Sequence, residues 1–302
     1  MKKNDALYAQ LPTEAVLPAA RDLDAMSAAA VVRLLAREER RSVRAVAAAA
    51  KPIAEVAQAA ADKLAAGGRL VYLGAGTSGR LGALDAAECG PTFGARPGQV
   101  VAVVAGGAAA LRRSVEGAED DGLAAARALA RLRVGRRDLV VGIAASGVTP
   151  FVAAGLAAAR GAGATTALVS CAPSDIAVDH RVVLDTGAEV LAGSTRLKAG
   201  TATKLTLNAI STAAMVRLGK CYGARMVDLR PTSAKLRARA RRLVAELTGL
   251  PPELLLRQAQ DQVKTAVVMG RLDVDRDEAE RRLAAAGGRL RDVIGPPKDR
   301  RR

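Results

Sequence analysis

Thr77, Ser78 and Arg80 lie in Gly74-Ala75-Gly76-Thr77-Ser78-Gly79-Arg80, between the apolar run Leu70-Val71-Tyr72-Leu73 and the helix-like Leu81-Gly82-Ala83-Leu84. A strand, a glycine loop and a helix start in that order make an anion site. Glycines let the backbone turn its N–H groups inward, and the helix N-terminus adds its positive dipole end. Two hydroxyls and a guanidinium complete the donors a phosphate needs. The same letters spell a dinucleotide fingerprint, which requires an acidic residue about 20 positions on, at the end of the next strand. The next candidate strand, Val100–Val104, ends in Ala105-Gly106-Gly107, with no carboxylate.

Two further segments have the same small, hydroxyl-rich character. Ala144-Ala145-Ser146-Gly147-Val148-Thr149 follows the apolar run Leu139–Ile143, and Gly193-Ser194-Thr195-Arg196-Leu197-Lys198 precedes a long helical pattern. Ligands of open parallel sheets bind at the carboxyl ends of the strands, so three such loops around one sheet mark a site. Taken singly, each also reads as an ordinary capped helix start. Carboxylates follow closely: Asp85 and Glu88 after the first loop, and Glu116, Glu119, Asp120 and Asp121 after Gly106-Gly107. With no histidine near the loops, these are the natural acid–base groups. Glu88 equally suits a structural role, capping the turn at Pro91-Thr92.

Positioning these loops requires a sheet. Strands are expected at Leu70–Leu73, Val100–Val104, Leu139–Ile143, Thr166–Ser170 and Val182–Leu184, with alanine-rich helical segments between most of them. That alternation predicts an α/β fold, a doubly wound parallel sheet sandwiched by helices. Amphipathic segments such as Ala28–Arg37 make the first 50 residues or so helical, and Ala54–Ala66 runs to a stop at Gly67-Gly68. Thr201–Leu218 reads as a long helix, and everything from about Ser233 is helical in pattern, with breaks at Gly249–Pro252 and Asp273–Asp277. The expected organisation is a helical segment over 1–53, a sheet domain over 54–232 and a small helical domain over 233–302.

Composition narrows the function. The 302 residues are 50 % hydrophobic but only 2 % aromatic, so platforms for stacking bases are nearly absent. Net charge is +16, yet the densest basic run, Lys235 to Arg242, spreads over opposite helix faces, and the Lys298–Arg302 tail reads as solvated. Non-specific attraction to polyanions is expected, specific nucleic-acid recognition is not. Cys89, Cys171 and Cys221 are too widely spaced for a disulfide framework or zinc site, and the single histidine, His180, reads as a surface residue before a strand. No cofactor is expected. Met1–Asp5 leads into no signal core. The uncharged stretch Leu139 to Ala159 is long enough to span a bilayer, but Ser146-Gly147 and Thr149-Pro150 break it as a loop-to-helix junction, so no membrane is expected.

The blocks Leu73–Gly82, Asp85-Ala86-Ala87-Glu88-Cys89, Pro91–Gly94, Val115–Asp120, Gly142–Gly147 and Gly193–Thr201 together resemble the N-acetylmuramic acid 6-phosphate etherases, from Leu11-Pro12-Thr13-Glu14 to the helical C-terminus. The resemblance implies a sugar-isomerase-type (SIS) domain, a homodimer, and a cytoplasmic role in recycling cell-wall sugar. It implies cleavage of a lactyl ether: the ring opens, the C2 proton beside the C1 aldehyde is removed, lactate leaves from C3 and water adds back. It assigns Glu88 as proton donor to the lactyl oxygen and Glu119 as its acid–base partner. Gly76, Thr77, Ser78, Arg80, Ser146, Gly147, Thr149 and Ser194 would hold the 6-phosphate sugar, and Arg196 and Lys198 would contact substrate or the second subunit.

Three positions depart from the family pattern: Val148 replaces a usual arginine, Gly90 a proline and Leu17 an asparagine. The loss of a cation beside a phosphate loop is expected to weaken binding or shift preference. A continuous helix from Ser78 to Glu88 would rise ~15 Å, more than double the span from a sugar's 6-phosphate to its C3. Either the chain turns before Glu88, at Gly82, or Glu88 serves the partner subunit's site. The alternative function is a non-catalytic sugar-phosphate sensor on the same fold, which needs phosphate donors but no acid–base pair. A sugar-phosphate isomerase would need the base without the ether-specific acid.

Overall fold

Small residues at the sheet–helix contacts set this architecture. The computed structural model describes residues 11–229, 231 and 233–297; the Met1–Asp5 start and the Lys298–Arg302 tail lie outside them. Three short 3-10 turns, two of them opened by Pro12 and Pro18, lead into α1 (Ala28–Glu38), α2 (Arg40–Ala48) and α3 (Ala50–Ala65). The Ser27 side chain accepts from the Ala30 N–H to cap α1, and Gly67, at φ +76°, follows α3.

The expected five strands form one parallel sheet: β1 (Leu70–Gly74), β2 (Val100–Val104), β3 (Leu139–Ile143), β4 (Thr165–Ser170) and β5 (His180–Val183) in the order β2-β1-β3-β4-β5. The last begins two residues earlier than the sequence suggests, which makes half-buried His180 its first residue. β1 and β3 are buried throughout, as strands covered on both faces must be. On one face Val71, Leu73, Val140 and Leu168 pack with α5 (Gly122–Arg131) and α6 (Pro150–Gly161) through Ala125, Leu129, Val152 and Leu156. On the other, α4 (Gly76–Phe93) lies close against β1: a Cβ on Gly82 would stand 2.9 Å from Tyr72 Cβ. Gly82 is therefore a packing residue within a continuous helix and not a turn.

At the amino edge, Asp138 accepts from the Arg69 N–H, from its guanidinium (Nη2 at 2.7 Å) and from the Gly135 N–H at 3.0 Å. Burial pushes the Asp138 carboxyl up, but the Arg69 and Gly135 hydrogen bonds and the Arg69 charge outweigh it and hold it below the ordinary value.

α7 (Lys198–Arg217) takes in Gly200 and starts three residues before the expected helix. Beyond it come a short antiparallel hairpin, β6 (Cys221–Tyr222) and β7 (Arg225–Met226), which the sequence pattern does not announce, and then α8 (Ala234–Thr248), α9 (Pro252–Gln258), α10 (Val263–Leu272), α11 (Arg276–Ala285) and α12 (Leu290–Ile294). The chain divides into two compact units at Ala86/Ala87, Pro97/Gly98 and Ser211/Thr212. Two of these divisions fall inside helices, where no change of composition marks them. The sheet belongs to one unit. The other is built on its own core, including Val227, Val244, Ala259, Val267 and Leu290.

Candidate active site

The strand order places a topological switch between β1 and β3, whose following loops run to opposite faces of the sheet and leave a crevice at their carboxyl ends. The loops after these two strands are the first two hydroxyl-rich segments. They open onto a common cavity of about 370 Å³, lined by Gly76, Thr77 and Ser78 from the first and by Ser146 and Thr149 from the second.

The first loop is the opening turn of α4. The Gly79 N–H donates back to the Ala75 carbonyl at 3.1 Å, so the N–H groups of Gly76, Thr77 and Ser78 precede the first helical donor. The approach of strand to helix is tight enough to demand glycine: a Cβ on Gly79 would lie 2.5 Å from the Gly74 oxygen and 2.8 Å from Val104 Cγ1. In the second loop, Ser146 Oγ accepts from the Val148 N–H at 3.3 Å, and Gly147 is buried with its carbonyl held by the Ser174 hydroxyl. Thr149 is the N-cap of α6, with Pro150 at the first helical position, yet its side chain makes no capping bond. Thr149 lines the cavity.

Glu119 lines the same cavity from a short 3-10 turn, Ala118–Asp120, that follows Gly117. Its neighbour Asp121 caps α5 by accepting from the Ala124 N–H at 2.9 Å. The third loop contributes Gly193 and Thr195, and the first 3-10 turn contributes Thr13 and Glu14, residues that the sequence pattern had not marked as ligand-facing. The only sequence signal for them was their place at the head of the matching blocks.

Other predicted residues go elsewhere. Arg80 lines a neighbouring hollow of about 290 Å³, with Ser114, Glu116 and again Gly76 and Glu119. Its guanidinium donates to the carbonyls of Ala110 at 2.8 Å and Arg113 at 3.2 Å, so it braces the loop after β2 instead of facing the hydroxyl cavity. Ser194 forms the turn to Leu197, and Arg196 is exposed outside the cavity lining. Lys198 is buried: its ammonium pairs with Glu38 at 3.2 Å and donates to the Ala188 carbonyl. With its charge matched inside the protein, Lys198 does not serve as a ligand-facing cation. Glu88 sits exposed in the fourth turn of unbroken α4, ~15 Å along the helix from Ser78.

Asp85, one turn before Glu88, is part of the scaffold. It accepts from Tyr72 Oη at 2.8 Å, Ser211 Oγ at 3.0 Å and Asn208 Nδ2 at 3.2 Å. Burial raises its carboxyl above the ordinary value, and the bonds from Tyr72 and Ser211 do not cancel that rise. Among the described residues no helix is long and apolar enough to cross a membrane.

A family model for the glucokinase regulatory protein N-terminal SIS domain matches residues 49–160, which hold the first two hydroxyl-rich loops and Glu119. Curated relatives match nearly the whole chain. An N-acetylmuramic acid 6-phosphate etherase of Rubrobacter xylanophilus is 51 % identical over 298 residues, 96 % of this chain and 98 % of the relative. Etherases of the same name from Deinococcus radiodurans and Cutibacterium acnes are 48 % and 49 % identical, covering 94 % and 96 % of this chain and 95 % and 97 % of theirs. The sheet with its flanking helices has the SIS fold, followed by a helical C-terminal region.

Proposed function

The chain belongs to the N-acetylmuramic acid 6-phosphate etherases, and we propose that its hydroxyl-lined cavity cleaves the D-lactyl ether of that sugar by elimination and re-addition of water. The observation that carries this reading is the meeting of the loops after β1 and β3 with Glu119 on one cavity. The N–H groups at the start of α4 and the hydroxyls of Thr77, Ser78, Ser146 and Thr149 hold the 6-phosphate. Opening of the ring exposes the C1 aldehyde, which acidifies the C2 proton. A carboxylate takes that proton, the C3–O bond breaks with protonation of the lactyl oxygen, and water adds to C3 of the resulting enal as C2 is reprotonated. Net, water is consumed and N-acetylglucosamine 6-phosphate and D-lactate are released. Each bond-making or bond-breaking step is coupled to a proton transfer that correctly held carboxylates can perform.

In this reading Glu119 is the acid–base group at C2 and Glu88 protonates the leaving lactyl oxygen. The unbroken course of α4 supports assigning Glu88 to the cavity of a second subunit, which makes the working enzyme a homodimer in the cytoplasmic recycling of cell-wall sugar.

The test is D-lactate release from N-acetylmuramic acid 6-phosphate, with the unphosphorylated sugar expected to be a poor substrate. Glu88→Gln and Glu119→Gln should each lower turnover by about 10²–10⁴ while still binding N-acetylglucosamine 6-phosphate. Co-expressed with different tags and isolated as the mixed dimer, the two variants together should regain turnover, because one cavity then holds both glutamates. Mixed dimers as inactive as either parent would place both glutamates on the same subunit.

A further inference from the structure

The cavity holds a second carboxylate, Glu14, that the proposed reaction does not use. Its position is built. Leu11 and Thr13 on either side of Pro12 are buried, and the Thr13 carbonyl accepts from the Gly193 N–H at 2.9 Å. Gly193 stands at φ +75°, and a Cβ there would come within 2.8 Å of Glu14 Oε2. Glycine thus serves twice, supplying the left-handed backbone and leaving room for the carboxylate. Among the described residues Glu14 has no ion-pair partner.

The remaining polar lining points to what such a group would meet. Backbone N–H groups and hydroxyls at Thr77, Ser78 and Ser146 can donate to an anion, whereas an ionised carboxylate only accepts. It would also repel a phosphate, so the Glu14 side of the cavity suits the uncharged, hydroxyl-bearing part of a sugar phosphate. We infer that Glu14 is a specificity-determining residue, whose carboxylate accepts hydrogen bonds from ring hydroxyls of the sugar and so orients it with its phosphate on the start of α4. The inference rests on the sugar-phosphate reading of the cavity but not on the elimination chemistry.

The experiment compares wild type, Glu14→Ala and Glu14→Gln as full chains, with circular dichroism to confirm folding of these surface variants. The probes are N-acetylglucosamine 6-phosphate, its 1-deoxy and 4-deoxy analogues, and inorganic phosphate. Glu14→Ala should bind the sugar phosphate about 10- to 100-fold more weakly, the range of a hydrogen bond to a charged group, with binding of inorganic phosphate unchanged. Wild type should lose affinity for the analogue lacking the contacted hydroxyl, and Glu14→Ala should not distinguish that analogue from the parent. Gly193→Ala, which displaces the carboxylate without removing it, should weaken the sugar phosphate in the same direction. Wild-type affinity in Glu14→Ala, or undiminished discrimination at every hydroxyl, would overturn the inference. Failure of the etherase reading has a different signature: wild type would bind the sugar phosphate yet release no lactate from the ether.

Discussion

α4 and α7 both start at the carboxyl edge of the sheet, close enough that a Cβ on Gly200 would lie 3.7 Å from Thr77 Cγ2. Both are introduced by small, hydroxyl-bearing residues. At α4 the first N–H groups and the hydroxyls of Thr77 and Ser78 line a cavity. At α7 the corresponding N–H groups, those of Lys198 and Ala199, donate to the two oxygens of Glu189 at 3.1 and 2.9 Å, and that carboxylate is wholly buried. One helix start opens onto a cavity; the other is filled by a carboxyl group of the chain itself. Burial raises the Glu189 carboxyl above its ordinary value against the bonds from Ala199 and Lys198, so this internal anion is held at a cost in solvation. A loop's composition announces a helix start, and a carboxyl group nine residues ahead of the helix decides whether that start is open or filled.

The largest effect should come from emptying the filled start. Glu189→Ala strips two buried N–H groups of their acceptor and should lower unfolding free energy by about 3 kcal/mol in a denaturant titration. A variant with the wild-type midpoint would erase the contrast between the two helices.

An intermediate effect belongs to the open start. Ser78→Ala and Ser146→Ala should each weaken N-acetylglucosamine 6-phosphate by about tenfold while leaving stability within about 0.5 kcal/mol of wild type, read by calorimetric binding and thermal unfolding. Unchanged affinity with lost stability would mean that these hydroxyls also belong to the scaffold.

The smallest effect is a difference in pH dependence. Asp138, held below its unfolded value, contributes stability that is present above about pH 4 and is lost as pH falls through its lower folded value. Glu189, held above its unfolded value, has the opposite sign: its contribution is complete below about pH 4 and is lost as pH rises through its folded value. Thermal midpoints of Asp138→Asn and Glu189→Gln across pH 3–7 should therefore lose slopes of opposite sign. Slopes of the same sign would contradict the assignment of either carboxyl.

The contrast between the two helix starts also shows which features the sequence alone carries. Five strands, the start of α6 at Thr149-Pro150 and the cluster of hydroxyl loops were visible because each depends on neighbours in sequence: apolar runs, a proline at the first helical position, glycines in a turn. Sequence marks Lys198 for substrate or second-subunit contact because its partners, Glu38 and Ala188, are set by tertiary packing. Arg80 reads as a phosphate ligand for the same reason, its acceptors lying 30 and 33 residues away. Glu14 stayed unmarked because its proximity to Gly193 spans most of the sheet unit. The hairpin at Cys221–Met226 is too short for its alternation to register as a pattern.

Asp85 ties the bodies of α4 and α7 to the sheet. Its oxygens receive Tyr72 from β1 and Asn208 and Ser211 from α7, while its backbone belongs to α4. Rotating or sliding α4 to reshape its first turn would strip donors from a buried carboxyl. The first turn of α4 is accordingly a preset form: the entropy of ordering its donors is lost when the chain folds and would not be charged again against the phosphate proposed to bind there.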